Sequence, residues 1–145
     1  MTEDRDDESG QTSVLILGVL AVVLMLSAVI LGATTVNLSA RKLVAEADGA
    51  ASAAAHTAQS SGIGPSGLPQ AQSAQVTEAV EDHLQTSQAH SRHDNLTVSR
   101  AWASPTGQTV HVELAATAQL PVLSWVLPAE VEVTGASHAR VTVHR

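Results

Sequence analysis

SVLILGVLAVVLMLSAVILGATTVNL, residues 13–38, decides how this chain is built. Val, Leu, Ile and Ala dominate it, and no charged side chain occurs anywhere between Gln11 and Ala40. As a helix it would be about 39 Å long, enough for a hydrocarbon core of about 30 Å with some tilt. A soluble core helix would interrupt such a pattern with charge every turn or two. A secretory signal peptide wants a basic n-region and a shorter apolar stretch, whereas the residues ahead of this one are acidic. The segment therefore reads as a single transmembrane anchor. No ionisable group lies within it, so nothing points to a proton or ion pathway. Ala28 and Gly32 form a small-xxx-small pair that would let a second helix approach closely, although small residues are common in membrane helices anyway. Thr34, Thr35 and Asn37 sit where they can reach headgroup water or bond back to the helix.

On the N-terminal side, residues 1–12 carry Glu3, Asp4, Asp6, Asp7 and Glu8 against Arg5, a solvated acidic tail. The whole chain has 145 residues, 14 acidic and 7 basic side chains, and a net charge of −7. That balance repels phosphate and argues against nucleic-acid binding. The absence of cysteine rules out a disulfide scaffold. With 1% aromatic residues, and about a hundred residues left outside the span, a large enzyme core is excluded too.

On the C-terminal side, Arg41 and Lys42 follow the span directly, and by the positive-inside bias they favour a cytoplasmic C-terminal side. Residues 39–60 are rich in alanine, a strong helix former, and predict a helical stalk continuing out of the bilayer. Ala47, Ala51 and Ala55 are spaced by four, as are Ala50, Ala54 and Ala58. These stripes suit tight helix–helix contact and offer little to a core; an exposed alanine helix is the other reading. Gly62, Gly64, Pro65, Gly67 and Pro69 mark residues 61–71 as a flexible linker.

Residues 72–145 predict a small α+β domain. From 72 to about 90, Val76, Ala79, Val80, His83 and Leu84 recur at helical spacing. Beyond that the period changes to two. Leu96 and Val98 lead a strand ending near Trp102, and Ser104-Pro105-Thr106-Gly107 signals a turn. Val110, Val112, Leu114 and Ala116 then share one face of a second strand. Val131, Val133, Gly135, Ser137, Ala139, Val141 and Val143 share one face of a third, which is expected to be bulged at the glycine. The expectation is a three-stranded antiparallel sheet with the short helix on its apolar face. A domain of about 75 residues is marginal on its own, so oligomerisation or the membrane is expected to complete its stability.

The sequence is poor in chemistry. His83, His90, His93 and Asp94 form the only cluster of metal-ligand type, but their spacing suits solvated helix-end histidines better than a zinc site. Glu130 and Glu132 share a strand face and read as its wet side. No serine lies in a GxSxG turn, and no glycine-rich phosphate loop follows a strand. No catalytic residue, metal or cofactor is expected, and the chain reads as a non-enzyme. One feature stands apart: LPVLSWVLP, residues 120–128, is an apolar connection bracketed by prolines, where a loop should be polar. Either it folds under the sheet, or Leu123, Trp125 and Val126 meet a partner or the bilayer interface.

Taken together, DESGQTS at 7–13 running into the apolar helix, ADGAASAAA at 47–55 behind it, and the terminal pair of strands joined by an apolar loop resemble the TadE/TadG-like Flp pilus-assembly proteins. The likeness is to the form found in high-GC Gram-positive bacteria; it is closest over residues 7–58 and only architectural beyond. It implies a single-pass protein of the cell membrane with its N-terminus in the cytoplasm, overriding the charge bias. It also implies an extracytoplasmic domain serving a tight-adherence pilus or a related secretion apparatus, with other Tad/Flp proteins as partners in homo- or hetero-oligomers. A leader peptidase of the pilin type would cut between Gly10 and Gln11. The fifth residue after that cut would be Leu15 rather than the usual Glu, and the leader is acidic, so uncleaved TadG-type members fit better. The rival reading is a membrane-tethered module that binds an envelope component or ligand.

Overall fold

The computed structural model describes residues 6–61, 71–120 and 130–141, with side chains of the first helix from Thr12 onward. That helix, α1 (Asp6–Ser60), is one uninterrupted element of 55 residues. At 1.5 Å per residue it is about 82 Å long. Proline is absent from it, and the polar side chains of its apolar part are satisfied within it. Ser27, Thr34 and Thr35 donate to the carbonyls of Val23, Ile30 and Leu31 at 2.8, 2.8 and 2.9 Å. It ends in a knot of hydroxyls on one carbonyl: Ser60 Oγ and Ser61 Oγ donate to Thr57 O at 2.9 and 2.6 Å.

The chain then forms α2 (Ser73–Thr86), a single turn α3 (Ala89–Arg92), and strands β1 (Asp94–Ala103), β2 (Thr109–Gln119) and β3 (Glu130–Arg140). Gln88, at φ 54°, takes the left-handed region and breaks the helix expected to run to about residue 90 into α2 and α3. The strands make an antiparallel meander in the order β1-β2-β3, and the α+β class read from the sequence is the architecture present. At the first hairpin, Gly107 takes φ 67° and donates its N–H to Ser104 O at 2.8 Å. Ala71 N donates to Gly107 O at 2.8 Å and Val141 N to Gln108 O at 2.9 Å, so the turn is held from both sides.

The two halves of α1 have opposite surroundings. Every residue from Thr12 to Ser27 is exposed, although most are large and apolar. The other half is buried in the domain: Leu43, Ala47, Ala50, Ala51, Ala54, Ala55 and Ala58 are at most 4% exposed. They meet Val76, Val80 and Leu84 of α2 and the inward residues Val110, Val112, Leu114, Ala116 and Val133 of the sheet in one cluster. This corrects the stalk. Residues 39–60 are not a spacer between the anchor and a separate domain at 72–145; they are the domain's central helix. The alanines, read as poor core formers, work here because they let α1 lie close to a sheet that supplies the larger side chains. Part of the burial that a domain of residues 72–145 lacks is thus supplied by α1 itself. The sheet's helical cover is α1 along β2 and β3, with α2 flanking it against β1.

The parity expected for β3 holds from Val133 onward, with Val133, Gly135 and Val141 buried and Ser137 and Ala139 half-buried; Val131, at the start of the strand, is exposed instead, and Val143 lies outside the described residues. The bulge expected at Gly135 is absent, since the β2–β3 register runs unbroken from Thr109↔Arg140 to Gln119↔Glu130. The irregularities lie in β1, between Asp94 and Thr97 and between Val98 and Arg100, with Asn95 at φ 51°. Gly135 is required for another reason. A Cβ there would stand 2.9 Å from Leu43 C and from Val44 N. The strand touches the helix backbone, and only glycine fits.

Candidate functional site

Three surfaces stand out, and the first is the apolar half of α1. α1 is long and apolar enough to span a membrane, and its residues Thr12–Ser27 are exposed throughout. So large an exposed apolar surface marks a site of contact with a membrane or another protein, and its length suits a hydrocarbon core. Ala28 is half-buried and Gly32 buried, so the packed stripe of α1 continues upward from the core into the span. Where the apolar run ends, Arg41 Nε donates to Asn37 Oδ1 at 2.9 Å, which lays the cation along the helix. Ala33, Val36, Asn37, Ala40, Arg41 and Val44 line an open, mostly apolar groove of about 680 Å³ beside it.

The second is the seam by which the head grips α1. Asp48 accepts a hydrogen bond from the Ser137 hydroxyl. Arg92 of α3 pairs with Glu46 at 2.8 Å and also donates to Ser87 O at 2.8 Å. His83 of α2 lies over Gly49, where a Cβ would be 3.0 Å from its Nε2. At Gly49 and at Gly135, then, the lack of a side chain leaves room for close approach of α2 to α1 and of α1 to β3. Ala47, Ala51 and Ala55, read as a surface for other helices, are sealed inside this seam at 0%, 0% and 4% exposure. They are helix-packing residues, but within their own chain.

The third was missed in the sequence. Trp102, His111 and His138 occupy paired positions on three neighbouring strands. Their rings stack in a row: Trp102–His111 at 4.9 Å between centroids and 10° between planes, His111–His138 at 5.9 Å and 29°. Arg100 caps the row with its guanidinium carbon 5.5 Å from the Trp102 ring centre. Trp102 and His111 are half-buried and His138 and Arg100 exposed, so the row faces outward from the sheet. Alternation gave the face of His111 and of His138, but their juxtaposition depends on strand register, which no local pattern supplies.

The other expected residues are placed as follows. Gly10 and Gln11 lie within the helical backbone of α1. Leu123, Trp125 and Val126 lie outside the described residues. His83, His90, His93 and Asp94 are not gathered, and no group of three or more metal-ligating side chains occurs among the described residues. Between α1 and α2 an open crevice of about 500 Å³ is lined by Glu78, Glu81 and Asp82 with glutamines and hydroxyls, a solvated acidic wall. No family model, curated protein or solved structure matches the chain.

Proposed function

We propose that this chain is a non-catalytic, membrane-anchored subunit of the TadE/TadG-like kind, serving assembly of an Flp pilus or a related secretion apparatus, with its head outside the cytoplasm. The observation that carries the reading is the continuity of α1. One helix is both the apolar span and the central helix of the head, so displacement of one end moves the other. A flexible tether suffices to hold a binding domain near a membrane; a helix locked into its own sheet suits a subunit that transmits position or force. DESGQTS and the alanine-rich segment carry the resemblance to that family, and the packing of α1 into the head supports a mechanical sense for it.

The test is cross-linking in the native membrane. Ser52 and His56 lie on the exposed side of the buried half of α1, and single cysteines there carry a cross-linker without disturbing the core. The expected product contains other pilus-assembly proteins, and deleting the gene removes the pili. Sidedness is read with an impermeant thiol reagent on intact cells, which labels Ser52→Cys and spares Ser9→Cys. If cross-links recover no such partner and the pili persist without the chain, the proposal fails.

The second reading, a membrane-tethered binding module, is favoured by the outward row of Trp102, His111 and His138 under Arg100. Aromatic faces beside cationic groups suit stacking on a ring-bearing or anionic ligand. On that reading Trp102→Ala abolishes binding while the seam, on the other side of the sheet, keeps the head folded.

A further inference from the structure

We infer that His111 and His138 form an open two-histidine site for a divalent transition ion of the zinc class, on the outward face of the sheet. The inference is independent of the anchor and of any role in assembly, because it stands on strand register. His111 and His138 are direct partners across the β2–β3 ladder. Opposed residues of an antiparallel pair carry their Cβ atoms about 4.5–5.5 Å apart on one face. The ladder runs unbroken from Thr109↔Arg140 to Gln119↔Glu130, so backbone fixes the spacing of the two side chains.

The ring geometry is close to that of a chelating pair. The two imidazole centroids are 5.9 Å apart and the planes 29° from parallel. Two imidazoles on one tetrahedral zinc, bound at about 2.0–2.1 Å, put their centroids about 5 Å apart. The difference of about 1 Å is closed by small rotations of the His138 side chain, which is exposed. Trp102 covers the other face of His111 at 4.9 Å and 10°, so that ring is held with both faces occupied. What His111 offers outward is the end of its ring remote from Cγ, which carries Nε2. No side chain among the described residues hydrogen-bonds to either imidazole.

Glu113 and Arg140 share the face, each two residues along its strand from one of the histidines, so the charge beside the pair is balanced. Arg100 stands at the far end of the row, over Trp102. Two donors are fewer than a closed structural site uses, and no third is gathered among the described residues. Water completes the coordination, and the site is open and exchangeable. Imidazole nitrogen selects the ion: it suits zinc, copper and nickel, whereas magnesium and calcium want oxygen donors.

The experiment uses the untagged full chain in mild detergent, with zinc, copper and magnesium chlorides as probes. Zinc is expected to bind one ion per chain in equilibrium dialysis. It is also expected to raise the Tm, because the two histidines are paired only while β2 and β3 are in register. Copper is expected to quench Trp102, whose ring lies against His111, and magnesium to do neither. His138→Gln and His111→Gln are each expected to weaken zinc binding at least about tenfold. Both are expected to lose the Tm rise and the quenching while melting like the native chain without metal. Should His111→Gln fail to fold, His138→Gln, at an exposed position, carries the test by itself. Replacing His90 and His93 together by glutamine is expected to change none of these readings. If zinc does not bind, or binds as well to His138→Gln, the inference falls. It falls equally if binding is lost with His90 and His93, which would place the ion at the helix end.

Discussion

Replacing Gly135 by alanine tests the seam at its tightest point. The new Cβ would sit 2.9 Å from Leu43 C and Val44 N and 3.1 Å from Leu43 Cγ. Relaxed contacts between carbon atoms lie at about 3.5–4.0 Å, so α1 and β3 must part by roughly 0.5–1 Å, and a gap of that size forfeits about a quarter to a half of each flanking dispersion contact. Overpacking of this kind costs about 1–3 kcal/mol. Against it, alanine relieves about 0.5–1 kcal/mol of the entropic cost of glycine in a strand. The net expectation is a loss of about 1–2 kcal/mol, and for a head of about 100 residues a fall in Tm of roughly 5–15 °C. The assay is thermal unfolding of the full chain in mild detergent, followed by the circular dichroism of the sheet and by tryptophan fluorescence. Ala136→Val, on the exposed side of the same strand, is the control and is expected to melt within a few degrees of the native chain. Because the clash is with backbone, trimming Leu43 to alanine does not restore stability. A Gly135→Ala chain that melts at or above the native temperature would show that α1 and β3 do not touch there, and the idea of a rigid seam would go with it.

The alanine stripe gives a second test: Ala51→Leu, at a fully buried position, is expected to cost at least about 1–3 kcal/mol, while Ser52→Leu on the exposed side leaves Tm nearly unchanged. Equal tolerance at the two positions in a melt would return residues 39–60 to a free stalk. Gly49→Ala meets only the end of the His83 side chain, and alanine gains about 1 kcal/mol over glycine within a helix. It is therefore expected to melt close to the native chain, and above the single mutant when made in a His83→Ala background; a collapse as large as that of Gly135→Ala would mean that His83 cannot move aside. Ser39→Pro kinks α1 within the stretch Val36–Ala40 that packs on the core, at a cost of about 3 kcal/mol in local helix stability. It is expected to leave the chain membrane-bound while abolishing the cross-links at Ser52. If those cross-links survive the kink, α1 is a tether rather than a lever.

What the sequence displayed was what depends on neighbours along the chain. The apolar run needs only a count of charges. The odd-numbered face of β3 needs only period two, and it emerged with Val133, Gly135 and Val141 on the buried side. What stayed hidden depends on partners distant in sequence. Gly135 looked like a bulge because a glycine within a strand is commonly one, yet its partner is the backbone of Leu43, far back along the chain. The alanines at 47, 51 and 55 carry too little side chain to declare a buried face. Their burial follows from the closeness of the sheet, and that closeness follows in turn from glycine at 135. The Trp102–His111–His138 row was legible residue by residue, but not as a row until the strands were in register.

The same closeness bears on function. A head with no phenylalanine or tyrosine and only two tryptophans lacks the large rings that usually fill a small core. It reaches close packing by removing side-chain volume where helix meets strand, so that backbone stands against backbone. Dispersion falls steeply with separation, so such a contact resists sliding and tilting more than a looser one of equal area. Around it, Ser137–Asp48 and Arg92–Glu46 add polar links to neighbouring turns of α1, and direction is fixed along with distance. A load on the sheet therefore reaches the span through a helix with no proline to absorb it. A domain that had only to wait near a membrane for a ligand would have no use for that stiffness, whereas a subunit set among others in an assembly would.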